Sequence, residues 1–439
     1  MERFIINVDR EKAYGAFKRL NAVNNGPVHK RHSPDQFRSN LQAYKEAKIP
    51  YARNHDAAFC ADYGGEHSVD ISGVFPDFDA DPYDPASYNF ATTDEYILIT
   101  LEAGTQTFYR LGQKIEHYVK KYDTLPPKDF KKWAVVCEHI ISHYNEGWAN
   151  GYELGIKYWE IWNEADLDPD DSTNKRTWGG TKAQYFELYG ITAKHLKSCF
   201  PDLRIGGPSL AGKLWWAEDF LREMSAKNVP IDFFSWHTYT VDPYAAIAKS
   251  FEIKALLEKY GYGGAENILN EWNYVRGWWA DDFRYSVETI IGMKGAAFTM
   301  AVMSLAQPSP IDMLMYYDAR PSAFNGLFDM YFLDRLKGYY PFKWYGFFYG
   351  LEEIRAVCPD RDFYTLCGKD ADGKLRMIVT YYTEDDDKAQ SKTVYIEAGG
   401  AGKYRAFLLD KSHDGDLICE TENPEFTMEP NTCVMLVEV

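Results

Sequence analysis

The sequence predicts an α/β protein: a (β/α)8 TIM barrel with a smaller C-terminal all-β domain of sandwich type. Three observations carry this. Strand and helix patterns alternate for about 350 residues, the rhythm of a parallel sheet with crossover helices. Eight strand candidates fall in that stretch, the number that closes a barrel. Beyond about residue 360 the strand patterns crowd together with no long helix between them. The 439 residues, 46% of them hydrophobic, suffice for one large domain and one small one.

The barrel strands are expected at 21–25, 50–56, 104–111, 157–164, 204–210, 232–239, 267–273 and 312–319. Helices are expected at 36–48, 130–144, 185–197, 216–227, 245–260 and 292–305. The clearest is 130–144, where Phe130, Trp133, Ala134, Cys137, Ile140, Ile141 and Tyr144 recur on one helical face. After the barrel come "LRMIVTYY", "KTVYIEA", "YRAFLLD" and "TCVMLVEV", and "KDADGK" (369–374) carries an Asp-Gly hairpin turn. The domains divide as 1–355 and 356–439, with "RFIINVD" (3–9) a strand open to either. Residues 56–94 form a long insertion after strand two with eight Asp, expected to limit one side of a pocket.

The net charge is −17, from 48 basic and 65 acidic residues. That argues against nucleic acid or an anionic membrane as partner. The seven cysteines (Cys60, Cys137, Cys199, Cys358, Cys367, Cys419 and Cys433) include no C-x-x-C pair. Neither a zinc nor a redox signature is present, and an odd number suits a reducing compartment. The opening "MERFIINVDREK" lacks the apolar segment of a signal peptide. Gly295–Ala306, the longest weakly polar run, is too short to span a bilayer. These features predict a soluble cytoplasmic protein; a homo-oligomer stays open. "DFDADPYD" (77–84) places Asp77, Asp79 and Asp81 like the start of an EF-hand loop. Pro82 and Tyr88 stand where Gly and Glu are needed, so no metal is expected there.

Catalytic groups of a parallel barrel sit at the C-terminal ends of its strands. "KYWEIWNEAD" (157–166) and "NILNEWNY" (267–274) are apolar strands that each end in Asn-Glu. Strict alternation puts Glu160, Trp162 and Glu164 on one face, and Leu269, Glu271 and Asn273 on one face. Glu164 and Glu271 would then face each other across the mouth, and two facing carboxylates are what glycoside hydrolysis needs. Glu160, in mid-strand, reads as a buried structural carboxylate paired with a neighbour such as Arg53.

"EIWNEAD" resembles the strand-four acid/base motif of clan A glycoside hydrolases. "LNEWN" resembles the strand-seven nucleophile motif of glycoside hydrolase family 39. "ARNH" (52–55), "SWHTY" (235–239), and "FNGLFD" followed by "GYYPFKWYGFF" are similar to further segments of that family. Ala165 departs from the usual Pro, Asn270 from a common Thr, and Tyr316-Tyr317-Asp318 from a frequent Trp. The resemblance implies Glu164 as general acid/base and Glu271 as nucleophile. It implies Asn163 on a sugar 2-hydroxyl, Tyr239 bonded to Glu271, Arg53 lowering the pKa of Glu271, and His55 and His237 on sugar hydroxyls. Trp272, Tyr316, Tyr317 and Asp318 complete the expected substrate-binding set. The two tyrosines are candidate platforms, one facing the barrel and the other the helices. The implied activity is a retaining exo-glycosidase on short oligosaccharides, without cofactor. A neutral xylose-like unit is favoured over arabinose, galactose, glucose or iduronate, because Arg53 is the only cation seen at the strand ends. A non-catalytic carbohydrate-binding barrel would lack a carboxylate, and a metal-dependent hydrolase would need more histidines than His55 and His237.

Overall fold

The computed structural model describes residues 3–33, 36–56, 69–387, 389–399 and 402–439. The N-terminal strand β1 (Arg3–Asp9) precedes the first barrel strand, β2 (Arg19–Asn24). A short hairpin, β3 (His29–Ser33) and β4 (Gln36–Ser39), then leads into α1 (Leu41–Ala47). The barrel continues through β5 (Tyr51–Arg53), β6 (Gln106–Leu111), β7 (Tyr158–Ile161), β8 (Arg204–Leu210), β9 (Phe233–Thr240), β10 (Glu266–Tyr274) and β11 (Met313–Tyr316). β11 pairs back onto β2, so eight parallel strands close in chain order.

The intervening helices are α2 (Ile71–Val74), α3 (Ala91–Glu102), α4 (Phe130–Asn145), α5 (Lys182–Cys199), α6 (Leu214–Ala226), α7 (Pro243–Lys259), α8 (Ala280–Ile290), α9 (Met293–Ala306) and α10 (Tyr339–Gly346). Local chemistry starts several of them. Asp129 accepts from the first-turn amides of α4, Thr181 and Gln184 form a capping box on α5, and Asp242 caps α7 before Pro243.

The lower barrel is filled by Ala22, Tyr51, Phe108, Tyr158, Phe233, Ile268, Met313 and Met315. Phe108 packs on Tyr158 and Phe233 at 5.4 and 5.1 Å. Residues two further along a strand point the same way. The next inward layer above Tyr51, Tyr158 and Ile268 is therefore Arg53, Glu160 and Asn270. An apolar plug thus forms the floor under a polar layer.

The C-terminal strands are β12 (Glu352–Val357), β13 (Phe363–Lys369), β14 (Leu375–Tyr381), β15 (Lys392–Glu397), β16 (Tyr404–Leu409), β17 (Asp414–Thr421), β18 (Glu425–Met428) and β19 (Thr432–Glu438). With β1 they make one nine-stranded mixed sheet, ordered β17-β16-β19-β14-β13-β12-β1-β15-β18. The sheet curls around its own core of Ile6, Phe363, Met377, Val394, Ile396 and Leu436, among others. α9, apolar on all sides and almost wholly buried, packs between the barrel and β13, β14 and β19. No single helix among the described residues is long and apolar enough to cross a membrane, and the α8–α9 pair is bent by 78°.

The insertion, expected to limit one side of a pocket, is described in part. Of residues 56–94, 57–68 lie outside the described residues. Phe75, Tyr88 and Phe90 pack against the flank of the barrel, where Tyr88 meets Trp148 and Phe90 stacks on His143 of α4. The Asp-rich segment closes its own turns: Asp77, Asp81 and Asp84 accept backbone amides two residues on. Asp79 pairs with Lys128.

One carboxylate ties the barrel to the sheet. Glu384 accepts from Tyr274 Oη at 2.8 Å and from Arg276 at 2.6 Å, and pairs with Lys294 at 3.1 Å. It is about a third exposed, which screens part of the attraction. Glu384→Ala should lower the unfolding free energy by about 1–2 kcal/mol, read as a lower urea midpoint. An unchanged midpoint would show that the junction does not depend on Glu384.

Candidate active site

Arg53 is the centre of the polar layer. Its guanidinium is fully buried. All five N–H groups are engaged: Nε with Glu160 (2.6 Å), Nη1 with Asn24 and Glu271 (3.0 and 2.7 Å), and Nη2 with Asn163 and Ser209 (2.7 and 2.9 Å). Asn270 donates to the other oxygen of Glu160 at 2.6 Å. Glu160 is thus the structural partner expected for Arg53.

Glu271 is 5% exposed at its side chain. Beyond Arg53 it accepts from the Tyr239 hydroxyl at 2.9 Å, and His55 Nε2 lies 3.4 Å away. Burial opposes its charge, but His237, His55, Arg53 and the Tyr239 hydroxyl outweigh it and hold the carboxyl down to about 2. Glu164 is 13% exposed and meets His237 Nδ1 at 2.8 Å. Burial first, then the negative charges of Glu271 and Asp166, push its carboxyl well above the usual range. One oxygen of each glutamate and a ring nitrogen of His237 all lie within 4.8 Å of one another. The site therefore pairs, at short range, a carboxyl whose charge is favoured with one whose charge is opposed.

Both glutamates arrive by backbone irregularity. β7 ends at Ile161, and Trp162 and Glu164 then take φ of 70° and 49°. That left-handed conformation is costly for a bulky residue. Trp162 therefore leaves the face it was expected to share with Glu160. It packs on Trp133 and Trp178, outside the barrel, and donates to Thr177 O at 2.8 Å. In β10 the pairing with β9 slips between Leu269 and Glu271. Leu269 faces the helices, while Asn270 and Glu271 both face the lumen.

Other expected substrate contacts need correction. Trp272 points outward onto Phe298 and Tyr316 because it follows Glu271 in the alternation. Tyr316 is likewise buried against Trp272 and Phe342, so neither reaches the mouth. Asp318 is fully buried, 3.7 Å from Arg320 and 3.4 Å from the Ser322 hydroxyl, with no open face for a ligand. Tyr317 does face the mouth, edge-on to His55 at 5.5 Å and Tyr239 at 6.4 Å. His55 and His237 are buried on the carboxylates, and Asn163 Oδ1 is occupied by Arg53 and Ser209.

The strand pattern missed Asn24, Ser209, Asp166 and Arg320. Asn24 and Ser209 each lie at a strand end, the one signal available. Asp166 accepts the amides of Ala211, Gly212 and Lys213 and so fixes the loop after β8. Arg320, a second cation at the rim, is paired to Asp56 at 3.0 Å. Arg110 is likewise paired, with Asp70.

A parallel barrel whose rim holds two close carboxyls with their pKa values pushed apart is the arrangement used by barrel glycoside hydrolases. The Glycosyl hydrolases family 39 pattern matches residues 5–261, more than half the chain, and the chain belongs to that family. The matched stretch contains Glu164 and ends before Glu271. A beta-xylosidase of Geobacillus stearothermophilus is 31% identical over 202 residues, which are 43% of this chain and 36% of that protein. The match thus spans little more than a third of that relative. In fold, the chain is similar over 100% of its length to a glucosidase from Croceicoccus marinus (99% of that chain, TM-score 0.78, 22% identity). It is also similar over 99% of its length to a monomeric beta-xylosidase from Caulobacter crescentus CB15 (99% of that chain, TM-score 0.71, 17% identity).

Burial, first, and Arg53 hold the His237 ring down to about 4, against the pull of Glu271. The unfolded ring titrates near 6.5, so the unfolded chain binds more protons between pH 4 and 6.5. The stability tied to the neutral ring is present above pH 6.5 and is lost as the pH falls to 4. The full effect is roughly 3 kcal/mol. His237→Gln should flatten this part of the pH–stability curve in urea unfolding at pH 4–7. A slope equal to that of the unaltered protein would show the ring to be charged in the folded state.

Proposed function

We propose that the protein is a retaining exo-glycosidase that removes terminal xylose-like units from short oligosaccharides. One observation carries the reading: Glu271, held ionised by Arg53 and Tyr239, lies within 4.8 Å of the protonated Glu164. An inverting enzyme needs ~6.5–9.5 Å between its carboxyls to admit a water. The short gap favours direct attack by Glu271 on the anomeric carbon while Glu164 protonates the leaving oxygen. Water then enters, Glu164 removes its proton, and the glycosyl–Glu271 ester is cleaved.

The beta-xylosidase relative supports a xylose-like unit. So does the pairing of Arg110 and Arg320 with carboxylates, which leaves them matched before any acidic sugar binds. The near-enclosure of both glutamates supports a terminal unit over a mid-chain one. A cytoplasmic location belongs to the same proposal, supported by six described cysteines that are all unpaired.

NMR of the first product from a nitrophenyl xyloside should show retained configuration. Glu164→Ala should still form the glycosyl-enzyme from a dinitrophenyl glycoside, then stall, and azide should speed its turnover. Glu271→Ala should gain nothing from the better leaving group. An inverted product would overturn the mechanism. Rescue of Glu271→Ala in place of Glu164→Ala would reverse the two roles.

A further inference from the structure

Ser209 stands at the end of β8 with no role in the reaction just described, yet its hydroxyl decides where protons sit. Its backbone is fixed on both sides. The Ser209 amide donates to Ser235 Oγ at 2.9 Å, and its carbonyl accepts the Glu164 amide at 2.9 Å. Its side chain meets three groups: Arg53 Nη2 at 2.9 Å, Asn163 Oδ1 at 2.9 Å and His237 Nε2 at 2.8 Å.

With the His237 ring kept neutral by its burial, the proton count admits one arrangement. Arg53 only donates, so Ser209 Oγ accepts from it. Asn163 Oδ1 also accepts from Arg53 at 2.7 Å, which fixes that atom as the amide oxygen. The single hydroxyl proton of Ser209 therefore goes to Asn163. Only a lone pair is left for His237, so Nε2 must carry a proton. In a neutral imidazole Nδ1 is then bare. That bare nitrogen faces Glu164 Oε1 at 2.8 Å, with Glu271 Oε2 further off at 3.4 Å. Two lone pairs at that distance repel, so the contact holds only with the proton on Glu164.

We propose that Ser209 is a positioning residue that fixes the Nε2–H tautomer of His237 and so keeps the acid proton on Glu164. This rests on the glycosidase reading for its catalytic meaning, though not for the tautomer itself. In the glycosyl-enzyme Glu271 is esterified and its charge no longer raises the pKa of Glu164. The bare Nδ1 of His237 remains. Having given its proton to the leaving oxygen, Glu164 faces that lone pair and is a stronger base toward water. The water proton then passes to Glu164, its hydroxyl to the anomeric carbon, and Glu271 leaves as carboxylate. The other charged groups that bear on this pair are Arg53, His55, Glu160, Asp166, Arg176, Lys249 and Glu271.

The test is ¹⁵N NMR of the histidine-labelled full chain, with His237 assigned by difference from His237→Gln. Near neutral pH, Nε2 should be of the protonated type and Nδ1 of the bare type. Ser209→Gly suits the φ of 55° at this position and removes the hydroxymethyl group, the hydroxyl with it. It should shift population toward the Nδ1–H tautomer. It should also move the alkaline limb of the kcat/KM profile down by about one pH unit, a tenfold change in the acid's ionisation. A purely structural serine would lower kcat without moving either readout. A protonated Nδ1 in the unaltered protein, or an unchanged tautomer in Ser209→Gly, would overturn the proposal. The expected tautomer in a protein that cleaves no glycoside would instead overturn the functional reading and leave the proton arrangement standing.

Discussion

Everything at the barrel mouth depends on one buried cation. Arg53 lies between two carboxylates, Glu160 below and Glu271 above, and no water-exposed surface is left to solvate it. A buried charge is tolerated only when paired and fully hydrogen-bonded. Its five donors meet five acceptors from strands β2, β7, β8 and β10 and the turn after β7. Removing one acceptor would leave an unmatched donor in the interior. The guanidinium thus makes the positions of Asn24, Glu160, Asn163, Ser209 and Glu271 interdependent. Lys, with three donors on a flexible stem, could not replace that fork.

The same layer separates the behaviour of two chemically identical side chains. Glu271 borders the cation and the phenol of Tyr239, so its charge is favoured. Glu164 sits one step further from Arg53, beside a neutral ring and two acidic neighbours, so its charge is opposed. The difference arises from placement alone. That placement is bought with strain at Trp162 and Glu164, held in the left-handed region by the packing of Trp162 between Trp133 and Trp178. Outward aromatic packing therefore aims an inward acid.

Much of this was legible in the sequence, and the limits have physical causes. All eight barrel strands and six of the helices lie where periodicity and apolar runs place them. The paired Asn-Glu strand ends marked the site. Strict alternation failed at both of those ends, because a bulge in β10 and positive φ after β7 each reset which face is inward. That reset is why Glu271 follows Asn270 into the lumen while Leu269 stays outside, and why Trp162 left it. α8 was missed although Phe283, Val287 and Ile290 recur at helical spacing, because the rest of "ADDFRYSVETI" is largely polar and opens with two acids. The β3–β4 hairpin overlaps a stretch read as helix, although its pairs, from Ser33 with Gln36 out to His29 with Ser39, are local. Ser209 and Asn24 act as partners of Arg53 and its neighbours, and a partner in space has no signature in one dimension.

Strand β1 gives the chain a property unlike that of two beads on a string. It runs parallel to β15 and antiparallel to β12, and Ile6 sits in the core of the nine-stranded sheet. β1, made before every barrel strand, is thus an interior plank of a sheet whose other strands all follow the barrel. It must wait for more than 340 residues before β12 and β15 exist (Asp9 pairs with Arg355). The sheet cannot close early, and the barrel between must fold with both flanks still loose. Cutting between barrel and sheet would not yield two modules. The C-terminal fragment would lose the strand that joins its halves and expose two raw edges to pairing with other chains. Evolution could exchange the loops of this barrel freely, but not its tail, which is stitched to the head.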